Sequence, residues 1–283
     1  MHKKLIIALS LLAAVFVVAG CRSDKAEEKN DAKASTPTTL KGDKTIYGLV
    51  CEGCTDSVLV LLPSDDSDPV KYDIIDATQA HKVFGKLSIG DWVGIVVDPT
   101  DKKVATLVVN LDQLKGTWCY QVQPQLRDYE SMSKRLQKRM MRDMPDSVKQ
   151  AYLIPREYGF TLKRQYSATP VGFVAMANSL EDESPVVYPE VPYYSEWHIW
   201  NGKLILSREA NHVAGAQQST AKQKLVNDTA SFVMLTADSL VLDFGTHVQS
   251  YYSRANAQDA NKKARAVATS QAKKAINSAI QTK

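Results

Sequence analysis

The chain has 283 residues, with 35 Lys and Arg against 31 Asp and Glu and a formal net charge of +4. From Arg254 to Lys283 seven basic residues face a single acidic one, so everything before that segment is slightly acidic and offers no footing for a nucleic-acid partner. Past residue 21 the apolar runs, such as Val58–Pro63 and Val93–Val97, are of strand length. A bilayer-spanning helix needs about 20 apolar residues, so composition excludes one from the body of the chain.

The first residues are basic, then apolar, then small. His2, Lys3 and Lys4 precede an apolar stretch from Leu5 to Val18 that only Ser10 interrupts, and Ala19, Gly20 and Cys21 follow. This is the layout of a signal peptide over residues 1–20. Val18-Ala19-Gly20-Cys21 resembles the lipobox of bacterial lipoproteins, which implies cleavage before Cys21 and attachment of diacylglycerol and acyl groups such as palmitate to its sulfur. The resemblance implies an outer-membrane lipoprotein of the cell envelope, held by its lipid and facing either the periplasm or the cell surface. Asp24, Glu27 and Glu28 resemble the acidic export tag of surface lipoproteins, but Lys25 interrupts them, so both orientations stay open. Residues 21–44 are polar, with Leu40 the only large apolar side chain after the cysteine. Such a segment buries too little to offset its ordering entropy, and as a flexible tether it reaches roughly 25 Å.

Residues 45–111 alternate short β-branched runs with turn signals. Strands are expected at Thr45–Val50, Ser57–Leu62, Val70–Ile75, Asp91–Val97 and Val104–Val109. Asp65 to Pro69 and Asp98 to Asp101 read as turns. Ala77, Ala80, Val83, Phe84 and Leu87 fall on one stripe, which predicts a helix from Asp76 to Leu87 capped by Asp76. Three strands, a helix and two strands, with Gly90-Asp91-Trp92-Val93 entering the fourth strand, resemble an OB domain, a small five-stranded barrel. Any other small five-stranded barrel fits as well.

Residues 112–254 carry a second pattern. Gly116-Thr117-Trp118 has the G-x-W form that opens the first strand of lipocalins. Tyr158-Gly159-Phe160, Trp197, the Asn201-Gly202 turn, Asp228–Leu235, Asp238–Phe244 and Tyr252-Ser253-Arg254 follow in order. Residues 114–254 therefore resemble lipocalin-like (calycin) lipoproteins, and the fold class expected is mainly β: an OB-like barrel, then a lipocalin-like antiparallel barrel. The resemblance further implies that Arg254 packs over the ring of Trp118 at the closed end of that barrel. Two stretches depart from a minimal barrel, Pro124 to Ala151 and Ala177 to Tyr194.

No G-x-S-x-G, H-E-x-x-H, Walker or G-x-G-x-x-G motif occurs, and the five histidines are not at ligand spacing. The Glu181/Glu183 pair sits in a like-charged loop, so a non-enzymatic role is expected. Cys51-Glu52-Gly53-Cys54 is the most pointed local feature, placed in a hairpin between two strands. It suits a disulfide, a soft-metal or redox pair, or two free thiols. Cys119 reads as a core or wall residue. Leu126, Tyr129, Met132, Leu136, Met140 and Met144 make an apolar helical stripe opposite Lys134, Arg135, Lys138, Arg139 and Arg142, and Pro145 ends the run. This inserted helix could pack on the barrel, cover its mouth or meet anionic headgroups. Tyr188, Tyr193, Tyr194, Trp197 and Trp200, among Pro185, Pro189 and Pro192, suit a ligand mouth, a protein contact or a pinned loop. Residues 255–283 form a basic, alanine-rich tail, expected as a frayed solvated helix. The expected function is a lipid-anchored carrier of a small hydrophobic ligand, with no cofactor beyond its acyl groups. The alternative is an envelope sensor or docking protein, with an envelope protein as partner, that uses Cys51 and Cys54.

Overall fold

A computed structural model describes residues 40–65, 67–127, 131–174, 186–209 and 225–281. Cys21 with the rest of the first 39 residues, and also Tyr129, Glu181, Glu183, Pro185 and Lys283, lie outside the described residues. The chain is mainly β. Two sheets account for most of it.

The first sheet holds β1 (Ile46–Val50), β2 (Val58–Pro63), β3 (Val70–Asp73), β4 (Val83–Phe84), β5 (Trp92–Val97) and β6 (Ala105–Asn110), in the order β3-β2-β1-β5-β6-β4. Every neighbouring pair is antiparallel except β4 with β6. A parallel bridge from Asp73 to Val104 links β3 to the entry of β6. Both acidic turns form as their side chains dictate. Asp65 accepts from the Ser67 N–H and hydroxyl, and Asp98 accepts from the Thr100 and Asp101 N–H groups. Leu59, Leu61, Val93, Ile95 and Val108 make the core of this sheet, with Ile74 and Ala77 laid over it.

The helix expected from Asp76 to Leu87 is much shorter, α1 (Ile75–Gln79). Asp76 does not cap it; Asp73 does the local work, accepting from the Ile75 N–H at 2.9 Å. His81 takes a left-handed φ of 55° and the Lys82 N–H returns to the Ala77 carbonyl, which closes the helix. Val83 and Phe84 then pair with Val108 and Val109. The apolar stripe was real, but its second half belongs to a strand.

The second sheet holds β7 (Gly116–Val122), β9 (Arg156–Leu162), β10 (Ala168–Val171), β12 (Tyr194–Trp200), β13 (Lys203–Glu209), β14 (Leu225–Leu235), β15 (Ser239–Asp243) and β16 (Val248–Arg254). Its order is β10-β9-β7-β16-β15-β14-β13-β12. In chain order each strand pairs with the next, except β10 with β12, and β7 pairs with β16. The two edges, β10 and β12, approach each other through the Ser167–Glu196 bridge. The result is a nearly closed antiparallel eight-stranded barrel. Alternation sets its faces: Trp118, Phe160, Leu204, Leu206, Phe232, Leu240 and Leu242 point inward to one core. Gly159 sits where strands come close, since a Cβ there would lie 1.8 Å from the Trp118 carbonyl oxygen.

One end of this barrel is plugged by the first sheet. Tyr47, Phe84 and Val109, with Leu111 and Leu114 of the short helix α2 (Leu111–Leu114), share a single core with the barrel interior. Phe84 meets Phe232 with ring centroids 5.5 Å apart. Asp43 ties the contact at the β12–β13 turn, accepting from Thr45, from the Tyr47 hydroxyl and from the Asn201 N–H. Buried Asn110 locks the connection: it accepts from the Gln113 N–H and donates to Lys86 O and Asp91.

The stretch from Pro124 to Ala151 is not one helix. Leu126 lies in β8 (Gln125–Leu126), paired with β11 (Val186–Val187). Helix α3 (Lys134–Asp143) starts at Ser133, whose hydroxyl accepts from the Leu136 N–H. After Pro145 comes α4 (Asp146–Tyr152). Packing of the inserted helix on the barrel is not seen, for no residue of α3 is buried. The tail helix, α5 (Lys262–Gln281), is not wholly solvated. Ala260 and Ala264 are buried, against Cys119 with Val171 and against Ile154 with Val174 respectively. The left-handed Asn261 accepts from the Glu157 N–H and donates to the Glu157 carbonyl.

Candidate functional site

The open end of the barrel, opposite the plug, holds a cleft of about 600 Å³. Its walls come from four places in the chain: Tyr120 on β7, Glu190, Pro192 and Tyr194 before and on β12, Asn227 to Thr229 on β14, and Phe244 to Tyr251 around the β15–β16 turn. The rings brace one another edge to face. Tyr120 meets Tyr251 at 5.4 Å and 90°, and Phe160 below meets Tyr194 at 5.8 Å and 82°. Phe244 stacks on His247 at 5.2 Å.

Polar groups are set into these walls. The Tyr194 hydroxyl donates to Asp228 Oδ2 at 3.0 Å, and Arg208 Nε donates to the same oxygen at 3.1 Å. Burial, then the neighbouring Asp228, raises the Tyr194 phenol far above its ordinary value. Burial likewise raises Tyr120 and Tyr251. All three are neutral O–H donors at any physiological pH. Among the described residues neither the Tyr120 nor the Tyr251 hydroxyl meets a hydrogen-bond partner. The cleft therefore combines aromatic faces, two donors free for a guest and a carboxylate at the edge.

Of the mouth residues expected from sequence, Tyr194 alone lines this cleft. Tyr193, one position before it, is half-buried. Trp197 is fully buried in the core beside the plug, its N–H bonded to Lys163 O at 2.9 Å, because it turns inward midway along β12. Trp200 is 37% exposed at the closed end, where its N–H reaches Lys41 O. Tyr188 packs under Arg156, 3.6 Å from the guanidinium carbon, and donates to Ile154 O. Met132 and Met140 lie on the insertion, and neither lines the cleft. Tyr120 and Tyr251 were missed; their inward position on the first and last strands was the available signal.

The pairing of Arg254 with Trp118 is not formed. Strand register puts Ser253 opposite Trp118, so Arg254 points to the outer face while Trp118 points inward. Trp118 donates to Leu114 O at 2.8 Å. The Arg254 guanidinium carbon lies 5.1 Å from the Tyr252 ring centroid, and Arg254 pairs with the Glu157 carboxylate. Glu157 also accepts from the Tyr252 hydroxyl at 2.6 Å and from the Asn261 N–H. Burial alone would raise its carboxyl, but the hydrogen bonds from Tyr252 and Arg254 outweigh that and hold it below its ordinary value. Cys119, on the same outer wall, is buried and its thiol is pushed up to about 11, by burial first and then by Glu157.

Cys51 and Cys54 sit at the β1–β2 hairpin, half-buried and as free thiols. Gly53, at φ +90°, makes the turn. Cys54 Sγ accepts from the Val60 N–H at 3.2 Å. Among the described residues no group of three or more His, Cys, Asp or Glu stands close enough to hold a metal ion, and no helix is long and apolar enough to cross a membrane. Comparison with protein-family models, curated proteins and solved structures gives no match for this chain.

Proposed function

We propose that this chain is a lipid-anchored lipoprotein of the bacterial cell envelope whose barrel holds a small molecule at its open end. The anchor is Cys21, supported by the signal-peptide pattern and the Val18-Ala19-Gly20-Cys21 motif. The outer membrane is the surface it occupies. The lipocalin-like reading of the barrel is supported by its meander order with first and last strands paired. The OB-like reading of the first sheet is supported by the helix after β3 and the parallel bridge from Asp73 to Val104. The pair makes one unit: the first barrel plugs the second, and the second binds.

One observation carries the binding role. Buried aromatic and aliphatic side chains make one core along the barrel, and at its open end two tyrosine hydroxyls with no partner among the described residues border a cleft of ligand size. Its lining shifts the expected guest from a purely hydrophobic molecule to an amphipathic one. A ring or short chain would lie against Tyr120, Tyr251 and Phe244, and its polar group would accept from the hydroxyls. No step of chemistry is required. The test is to extract the full-length lipidated protein in mild detergent and identify co-purifying molecules by mass spectrometry. A bound compound that a Tyr120→Phe/Tyr251→Phe variant fails to retain, while melting at the same temperature, supports the reading. A wild-type protein that carries nothing, and gains no thermal stability from a panel of amphipathic compounds, refutes it.

A second reading has its own observation. The half-buried thiols of Cys51 and Cys54, with an N–H aimed at one sulfur, form a two-ligand site for a soft metal such as copper or a thiol pair that closes on oxidation. A Cys51→Ser/Cys54→Ser variant with unchanged copper binding and unchanged response to oxidant excludes it.

A further inference from the structure

Helix α3 is exposed along its whole length, and its composition specifies what could cover it. It runs ten residues with none buried. A helix of that length is marginal alone in water, so a face built for a partner is the ordinary means of holding it. Leu136 is 50% exposed and Met140 and Met141 are each 37% exposed. Leu136 and Met140 stack one turn apart, with half-buried Met132 and Met144 one turn before and after them. The other side carries Lys134, Arg135, Lys138, Arg139 and Arg142. The helix has a single acid, Asp143, which pairs with Arg139 and Arg142. Among the described residues Lys134, Arg135 and Lys138 have no acidic partner.

We infer that α3 is a membrane-surface helix that lies on an anionic bilayer, with Leu136 and Met140 entering the headgroup boundary and the cations bound to lipid phosphates. Charge complementarity selects this occupant. A purely apolar groove would leave Lys134, Arg135 and Lys138 without use, and a purely acidic partner would leave the methionine and leucine stripe in water. The inference rests in part on the anchor at Cys21, which keeps the helix near a bilayer at the end of a short tether. It orients the barrel as well: the β8–α4 insertion faces lipid, so the anchored body does not tumble freely.

The full-length lipidated protein, reconstituted on vesicles, tests this. One set is phosphatidylcholine alone; the other has about one third phosphatidylglycerol, enough to give an anionic surface. Methionine oxidation by dilute peroxide is then read residue by residue, with Met234, exposed on the barrel wall, as the internal reference. Oxidation of Met140 is expected to slow by roughly threefold or more against Met234 on anionic vesicles only, because sulfoxide formation follows exposure. High salt should remove the protection, and so should a Lys134→Gln/Arg135→Gln/Lys138→Gln variant that still floats with the vesicles. Equal oxidation on both vesicle types overturns the inference and is also the result an acidic protein partner would give. Protection that survives in the charge variant overturns it as well. Failure of the anchor is seen separately, as protein that does not float with neutral vesicles; unanchored protein must then still float with anionic ones, or the helix proposal falls too.

Discussion

At the closed end of the barrel the indole N–H of Trp118 bonds Leu114 O, that of Trp197 bonds Lys163 O, and the Tyr47 hydroxyl bonds Asp43 and Ile199 O. At the open end Tyr120 and Tyr251 pack their rings just as closely, yet their hydroxyls find no partner among the described residues. Both ends use aromatic side chains with a polar tip, and Tyr47 and Tyr251 are equally buried, so neither property distinguishes core from site. What differs is whether the polar tip of the aromatic is answered from within. Neither hydroxyl is sealed from solvent, so water answers it at little cost in the empty protein and a guest can replace that water.

The sharpest way to break this comparison is to remove a ring from the closed end. Trp197→Ala takes out a fully buried side chain at the junction of barrel and plug. It should cost about 3–5 kcal/mol, read as the shift in urea midpoint at constant slope. A loss under about 1 kcal/mol would mean that the plug packs loosely and that both ends of the barrel are soft.

The outer wall gives the next effect. Glu157→Ala removes the acceptor shared by Tyr252, Arg254 and Asn261 and should cost about 2 kcal/mol. That value is below the range for a fully buried pair because Arg254 is 41% exposed and can be rehydrated. The pH dependence has a definite sign. The folded-state value of Glu157 lies below its ordinary 4.5, so its stabilisation is complete above that pH and is lost as pH falls through the lower folded value. Wild type and Glu157→Ala should therefore converge in stability on acidification. At neutral pH the variant should also free α5, seen as faster amide exchange from Asn261 onward. Next in size is Asp43→Ala, which unties Tyr47 and Asn201 from the plug. About 1–2 kcal/mol is expected from thermal melting, with little change in ligand content, since the open end is untouched.

Legibility in the sequence followed the range of the interaction concerned. Strand positions were readable within a residue or two, because alternation and the Asp-rich turns are local, and the acid turns at Asp65 and Asp98 formed as side-chain chemistry requires. The helix after β3 was overextended because Phe84 fits a helical stripe; only the distant Phe232 explains why it joins a strand. Arg254 was assigned to Trp118 from motif order, and one residue of register sent it to the other face. The cleft was least legible. Tyr120, Asp228 and Tyr251 are more than 100 residues apart at their extremes, and only barrel closure brings them together.

The smallest expected effect is the most discriminating. Tyr251→Phe deletes one oxygen from a residue that is 7% exposed. In an ordinary core, loss of a satisfied tyrosine hydroxyl destabilises by about 1 kcal/mol. Here the hydroxyl has no partner among the described residues, so deletion in ligand-free protein should change stability by no more than about 0.5 kcal/mol and in the favourable direction. The same substitution should weaken ligand retention by about fivefold to tenfold, the equivalent of one lost hydrogen bond. The two measurements thus move in opposite senses at the open end, whereas at the closed end Tyr47→Phe should lower stability and leave binding alone. If Tyr251→Phe instead destabilises the empty protein as much as Tyr47→Phe does, the hydroxyl is anchored within the fold. The two ends of the barrel would then be one continuous core, and the cleft would lose its claim to be a site.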